Sequence, residues 1–123
     1  SKGTGVKADI NKTIELYEKA ALNNNALAMC NLGYLYDSGD GVTQDYQKAN
    51  EYYLKAAELG NTQSMHNLGY NYENGIGFEV DYKLANSWYE KAAKEGHAAA
   101  QYMLGYNYEN GFGFVVNLKK ANE

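Results

Sequence analysis

The sequence predicts an all-α fold, a right-handed α-solenoid of antiparallel helical hairpins about three repeats long. Three observations predict it: an internal period of 36 residues without insertions, apolar residues at helical spacing in two segments of each period, and recurring helix-start and helix-end residues. The period is clearest in Leu68–Gly75, whose eight residues are identical to Leu104–Gly111. In repeats of this kind each module buries its apolar side against its neighbour.

Residues 45–59 are predicted to form the first helix of their repeat, and they serve as the example for the other repeats. Its apolar stripe consists of residues at helical spacing, namely Tyr46, Ala49, Tyr53, Ala56 and Ala57. Asn50 and Glu51 are among the polar residues expected to face away. Asp45 is placed to cap the start of the helix, and Gly60 to end it in a left-handed conformation, with Asn24 and Gly96 at the equivalent positions.

The second helix follows within about two residues, which predicts a tight helical hairpin. Its expected buried stripe recurs in the three repeats as Ala28, Leu32, Gly33 and Tyr36, as Ser64, Leu68, Gly69 and Tyr72, and as Ala100, Leu104, Gly105 and Tyr108. Glycine inside a helix costs about 1 kcal/mol relative to alanine. Because a glycine nevertheless recurs at the same position of each second helix, we predict that a neighbouring helix approaches this position too closely for a side chain.

These signals place helix pairs at about 9–38, 45–74 and 81–110, with a partial helix at 117–123. We predict a single repeat domain over 1–123. Both ends are out of phase with the repeat, so further repeats or domains of the parent chain are expected.

Composition narrows the classes of partner and cofactor. All 11 basic residues are Lys, and the formal net charge of −4 disfavours a nucleic-acid backbone as partner. No apolar run is long enough to span a bilayer, so we expect no membrane insertion. The sequence indicates no cofactor and leaves the cellular compartment open.

The repeat resembles the Sel1-like repeat, a relative of the tetratricopeptide repeat. The resemblance rests on Trp88-Tyr89-Glu90-Lys91-Ala92-Ala93, then Gly96, then Leu104-Gly105-x-x-Tyr108-x-x-Gly111, then Gly113, and it covers essentially the whole chain. It implies a helical solenoid that works as a scaffold or adaptor. It also implies that the second helix of each repeat lines a concave wall.

On that wall we expect the positions opposite the buried stripe to face solvent, including position 30. They place a row of tyrosines beside a row of acids, which would suit a protein or peptide partner with a basic segment. The candidate partner-binding residues are Tyr34, Asp37, His66, Tyr70, Glu73, Asn74, Tyr102, Tyr106, Glu109 and Asn110.

The sequence offers little support for a metal site or for catalytic residues. The two histidines, His66 and His97, occupy different repeat positions without a second ligand at helical spacing, so we predict no metal site. Cys30 and His66 share a repeat position, but a nucleophile and base would need a third orienting group. We therefore predict no catalytic residues and no enzyme activity.

The leading hypothesis is a protein-interaction scaffold that binds a peptide or protein on the concave face. A hydrolase like those of the β-lactamase-like, cysteine-rich Sel1 branch is one alternative, and it would require turnover that depends on Cys30 or His66. An RNA-binding helical repeat is another, and it would require salt-dependent binding of oligonucleotides.

Overall fold

The computed structural model describes residues 9–113, and every regular element in that part of the chain is an α-helix. Six helices of 13 residues each follow one another: α1 Ile10–Leu22, α2 Ala26–Ser38, α3 Tyr46–Glu58, α4 Thr62–Asn74, α5 Tyr82–Lys94 and α6 Ala98–Asn110. The predicted all-α repeat fold is confirmed. The partial helix expected at 117–123 lies outside the described residues.

The helices form two compact units that divide between Asn61 and Thr62. The first unit contains α1, α2 and α3, and the second contains α4, α5 and α6. The prediction of a single domain stays a prediction.

The helix ends follow the predicted capping chemistry. Asp9, Asp45 and Asp81 precede α1, α3 and α5, and each carboxylate accepts a backbone N–H three residues further on, at 3.1, 3.0 and 3.0 Å. Beyond the last turns of the same helices, the backbone takes positive φ angles of 64° at Asn24, 97° at Gly60 and 87° at Gly96. Each hairpin can therefore reverse direction in about three residues.

In the first unit, α2 and α3 meet at a glycine. A Cβ atom at Gly33 would lie 2.5 Å from Cε1 of Tyr53, whose side chain is only 1% exposed. Leu32, next to the glycine, is fully buried. The predicted close approach of a neighbouring helix is confirmed, and the approaching group is the tyrosine ring of the following helix.

The second unit repeats this contact. A Cβ atom at Gly69 in α4 would lie 2.6 Å from Cε1 of Tyr89 in α5, and Tyr89 is fully buried. The other buried residues of α4 are Ser64, Met65, Leu68 and Asn71. The aromatic ring of α5 thus occupies the volume that the glycine leaves free.

The predicted stripe of the first helices is wrong at two positions. Asn50, expected to face away, is 4% exposed, and its equivalent Asn86 is buried to the same extent. Asn86 shows the reason: its Nδ2 donates to the carbonyl oxygen of Phe112 at 2.8 Å, and its Oδ1 accepts from Asn107 Nδ2 at 2.8 Å. Tyr46, assigned to the stripe, is 40% exposed.

The stripe of the last described helix is also only partly buried. Ala100 is fully buried, but Tyr108 is 55% exposed and Gly105 is exposed. Among the described residues, nothing lies within 4 Å of the position a Cβ would take at Gly105. In α2 and α4 the tyrosine of the following helix covers this position, and no described helix follows α6.

Candidate partner-binding wall

The tyrosines predicted for the wall are exposed in the second unit. Tyr70 of α4 is 47% exposed, and Tyr102 and Tyr106 of α6 are 70% and 45% exposed. The rings of Tyr102 and Tyr106 stack with centroids 6.5 Å apart. Exposed tyrosine presents a rigid apolar surface with a polar tip, which suits contact with another molecule.

The two carboxylates of this wall differ in their surroundings. Glu73 of α4 is half-buried, and its Oε1 accepts a hydrogen bond of 2.8 Å from Nδ2 of Asn107 in α6. Glu109 of α6 is exposed. The bond from Asn107 ties α6 to α4 and fixes the orientation of one carboxylate.

The two predicted asparagines bond to their own helices. Nδ2 of Asn74 donates to the carbonyl oxygen of Tyr70 at 2.9 Å, and Nδ2 of Asn110 donates to that of Tyr106 at 2.8 Å. Each amide thus adds a side-chain donor to a carbonyl group four residues earlier, near the end of its helix. Both side chains are exposed, so their amide oxygens still face solvent.

Charge is divided between the two kinds of helix. The second helices α2, α4 and α6 carry one carboxylate each, Asp37, Glu73 and Glu109, and no lysine. Every lysine within a described helix belongs to α1, α3 or α5. The wall helices are therefore acidic, although the chain as a whole contains 11 lysines.

In the first unit the wall positions behave differently. Tyr34 is 57% exposed, as expected, but Asp37 is half-buried, and one of its carboxylate oxygens accepts from the Tyr53 hydroxyl at 3.2 Å. Cys30, expected to face solvent, is only 6% exposed. The expectation for position 30 was wrong because this small apolar side chain packs within its unit.

An aromatic cluster beside the wall was not predicted. Phe112, in the loop after α6, stacks on Tyr82 of α5 at 5.1 Å between centroids and contacts Tyr106 at 6.2 Å. The cluster joins the start of α5 to the exposed rings of α6. No sequence pattern indicated this cluster, because Phe112 lies in a loop outside the helical periodicity.

The two histidines also meet, although they occupy different repeat positions. The rings of His66 in α4 and His97 before α6 stack with centroids 5.1 Å apart, and His66 lies 5.7 Å from the ring of Tyr89. Burial lowers the pKa of His66; a hydrogen bond with Asn67 opposes this effect, and the neighbouring His97 adds to it. Within residues 9–113 no group of three or more His, Cys, Asp or Glu side chains could hold a metal ion.

The first unit also has an open cavity of about 510 Å³. The loop at 41–45 forms one side, and the ring of Tyr36, with Nζ of Lys48 4.8 Å from its centroid, forms another. Tyr36 raises the pKa of Lys48, which is an electrostatic effect of the nearby phenol. The cavity contains none of the predicted site residues.

The comparison with known families decides the identity of the repeat. The sequence model of the Sel1 repeat matches four segments, residues 1–25, 26–61, 62–97 and 98–123. The chain belongs to the Sel1 repeat family. The predicted count of about three repeats becomes four segments, because the family's repeat begins at the second helix and leaves a partial segment at each end of the sequence.

Solved structures agree with this Sel1 assignment. The chain is 38% identical to a Sel1 repeat protein from Oxalobacter formigenes, with a TM-score of 0.73 over 89% of this chain and 50% of that one. It is 37% identical to c5321, a protective antigen of uropathogenic Escherichia coli with an SLR fold, with a TM-score of 0.87 over 94% of this chain and 25% of that one. It is 30% identical to the cysteine rich protein B (hcpB) of Helicobacter pylori, with a TM-score of 0.76 over 82% of this chain and 76% of that one.

The chain therefore spans half the length of the Oxalobacter protein and a quarter of the E. coli antigen. Among curated proteins, no relative matches the sequence. Sel1 repeat proteins are generally protein-interaction scaffolds, and the fold is typically non-enzymatic. Of the helices in residues 9–113, none has the length and apolarity to cross a membrane.

Proposed function

We propose that this Sel1 repeat chain is a protein-interaction scaffold that binds a peptide or protein partner along its second helices. The partner presents a basic segment to the exposed tyrosines and carboxylates of those helices. In the second unit these groups are Tyr70 and Glu73 on α4, and Tyr102, Tyr106 and Glu109 on α6.

The separation of charge carries the proposal. The helices α4 and α6 combine four tyrosines that are between 45% and 70% exposed, Tyr108 among them, with two carboxylates, and they contain no lysine. A lysine or arginine side chain can contact the face of a tyrosine ring and form a charge-assisted hydrogen bond to a neighbouring carboxylate. An acidic partner would meet only repulsion there.

The test uses a displayed library of random 15-residue peptides selected on the immobilised chain. We expect the selected peptides to be enriched in Lys and Arg. Their affinity should weaken as the salt concentration rises from 0.05 to 0.5 M, because the screening length for attraction between exposed charges falls from roughly 14 Å to roughly 4 Å over this range.

The double variant Tyr70→Ala/Glu109→Gln should weaken the selected peptides by roughly tenfold or more, which corresponds to the loss of one central aromatic contact and one charge pair. Both side chains are exposed, so helicity and melting should stay unchanged. The matched control is Tyr46→Ala/Glu51→Gln on α3, where a 40% exposed tyrosine and an exposed glutamate lie on a first helix.

Two outcomes would contradict the proposal. One is a selection that enriches acidic or uncharged peptides. The other is an equal loss of binding in the α3 control, which would show that the effect does not depend on the second helices. A single-stranded RNA probe in the same assay tests the alternative of an RNA-binding repeat, and its tight, salt-dependent binding would favour that alternative.

A further inference from the structure

The loops that follow α2 and α4 have closely similar backbones. The two glycines of each loop take positive φ angles, and all of these angles lie between 68° and 82°. In the first unit the N–H of Asp45 donates to the carbonyl oxygen of Tyr36 at 2.9 Å. In the second unit the N–H of Asp81 donates to that of Tyr72, also at 2.9 Å. Side chains at equivalent positions of the two loops can therefore be compared directly.

One position of these loops differs in size between the units. In the second unit the ring of Phe78 stacks on the ring of Tyr72, with centroids 3.8 Å apart and planes inclined by 5°. The equivalent residue of the first unit is Val42, which has no ring to place against Tyr36. Both Val42 and Tyr36 line the cavity of about 510 Å³. The first unit therefore has open volume where the second unit is filled by its own phenyl ring.

A lysine ammonium lies at the same cavity. Lys48 of α3 lines it, and its Nζ lies 4.8 Å from the ring centroid of Tyr36. Tyr36 raises the pKa of Lys48 above its ordinary value of 10.5, so the ammonium is charged at neutral pH. Asp45 also lines the cavity, but it caps α3 by accepting from the backbone N–H of Lys48. Among the described residues, no carboxylate forms an ion pair with the Lys48 ammonium.

We propose that the cavity of the first unit is a binding site for a small aromatic carboxylate, whose ring packs against Tyr36 and Val42 and whose carboxylate pairs with Lys48. The stack of Phe78 on Tyr72 in the second unit shows which ring geometry the loop accommodates. An ammonium and a carboxylate form a charge-assisted hydrogen bond, which is stronger than a neutral one. The volume lies in the range of about 300–1,000 Å³ that is usual for small-molecule sites.

The remaining lining offers donors for the second carboxylate oxygen. The amide of Asn11 on α1 and the hydroxyl of Thr43 in the loop both line the cavity, and both side chains are exposed. Ile14 of α1 adds an apolar contact for the ring. The site shares no residue with the proposed partner-binding wall, so it stands or fails independently of the proposed function.

The probe is phenylacetate, which combines one aromatic ring with one carboxylate. Its addition to the isotope-labelled chain at neutral pH should shift the backbone amide signals of Val42, Thr43 and Lys48 and leave those of the second unit unchanged. We expect a dissociation constant on the order of 1 mM, since a ligand of this size makes few contacts. Phenylacetamide lacks the charge and cyclohexylacetate lacks the aromatic ring, and each should bind about fivefold more weakly or less.

Two variants copy the second unit into the first. Val42→Phe fills the cavity with a ring, and Lys48→Leu introduces the residue found at the equivalent Leu84. Each should weaken phenylacetate binding about tenfold or more and leave the circular dichroism spectrum unchanged. The matched controls are Val80→Phe and Lys55→Leu, which change an exposed valine and an exposed lysine that do not line the cavity. Both controls should bind as tightly as the unaltered chain.

Three results would overturn the site. One is phenylacetate binding that is unchanged in Lys48→Leu or in a folded Val42→Phe variant. Another is equally tight binding of phenylacetamide, and the third is a set of amide shifts confined to residues outside the cavity. If Val42→Phe loses helicity, Lys48→Leu and the two analogues decide the question.

Discussion

The ring of Tyr89 occupies the volume next to Gly69, with Cε1 2.6 Å from the position that a Cβ on that glycine would take. Tyr53 has the same relation to Gly33 in the first unit. Each pair sets how closely a second helix and the following first helix approach. The small size of Gly33 and Gly69 therefore determines how these helices pack more directly than hydrophobicity does.

Replacing Gly69 by alanine should destabilise the second unit by about 1–2 kcal/mol. The added methyl group overpacks against a fully buried ring, and this cost exceeds the gain in helix propensity of about 1 kcal/mol. The matched change is Gly105→Ala, where nothing described lies within 4 Å, and it should stabilise by up to about 1 kcal/mol. Urea unfolding of both variants measures the change in the free energy of unfolding, which should have opposite signs. Equal changes would disprove the close-approach explanation.

The hydroxyl groups of the two buried tyrosines should differ in their contribution to stability. The Tyr53 hydroxyl donates to Asp37 at 3.2 Å, so Tyr53→Phe should lose about 1 kcal/mol. The Tyr89 hydroxyl is buried and has no hydrogen-bond partner in the described residues, so Tyr89→Phe should be neutral or slightly stabilising. The order of the two melting temperatures checks this, and a larger loss at Tyr89 would mean that its hydroxyl has a partner.

Alkaline pH should destabilise the second unit through Tyr89. Burial, followed by the nearby charge of Glu73, raises the pKa of Tyr89 above its ordinary value of 10.0. The unfolded chain therefore releases this proton first, and the stabilisation is complete below about pH 10 and is lost as the pH rises above it. Unfolding free energies from pH 9 to 11 should fall less steeply for Tyr89→Phe than for the unaltered chain.

Asn107 should be the most sensitive polar residue of the second unit. It is fully buried and donates to both Glu73 and Asn86 at 2.8 Å. Asn107→Ala would leave one buried acceptor, on Asn86, and one half-buried acceptor, on Glu73, without this donor and should cost about 2–4 kcal/mol. The control is Asn110→Ala, an exposed asparagine bonded to its own helix, which should cost less than about 1 kcal/mol. Equal losses in urea would remove the role assigned to Asn107.

Much of the fold was predictable because each local signal returns with the 36-residue period. The caps at Asp9, Asp45 and Asp81 and the left-handed residues at Asn24, Gly60 and Gly96 depend only on neighbours in sequence. The recurring helical glycine even predicted the closest contact between helices, although its partners, Tyr53 and Tyr89, were known only from the structure.

The misassigned residues depend on contacts between helices. Polarity alone placed Asn50 on the outside, yet the equivalent Asn86 is buried by bonds to a distant asparagine and a loop carbonyl. His66 and His97 lie 31 positions apart in the sequence and at different repeat positions, so no periodicity brings them together. Among the wall residues, the exposure of Tyr70 and Tyr106 followed the predicted phase, whereas the bonding of Asp37 and Glu73 did not follow from it.

Within residues 9–113 every helical lysine lies in a first helix, and this has a consequence for how such chains evolve. Duplicating one 36-residue block adds a carboxylate and no cation to the second helices, and it reproduces the glycine and tyrosine that pack the new block. Gene duplication can therefore lengthen the array and add one carboxylate per second helix in uniform steps, with no compensating substitutions in the interior.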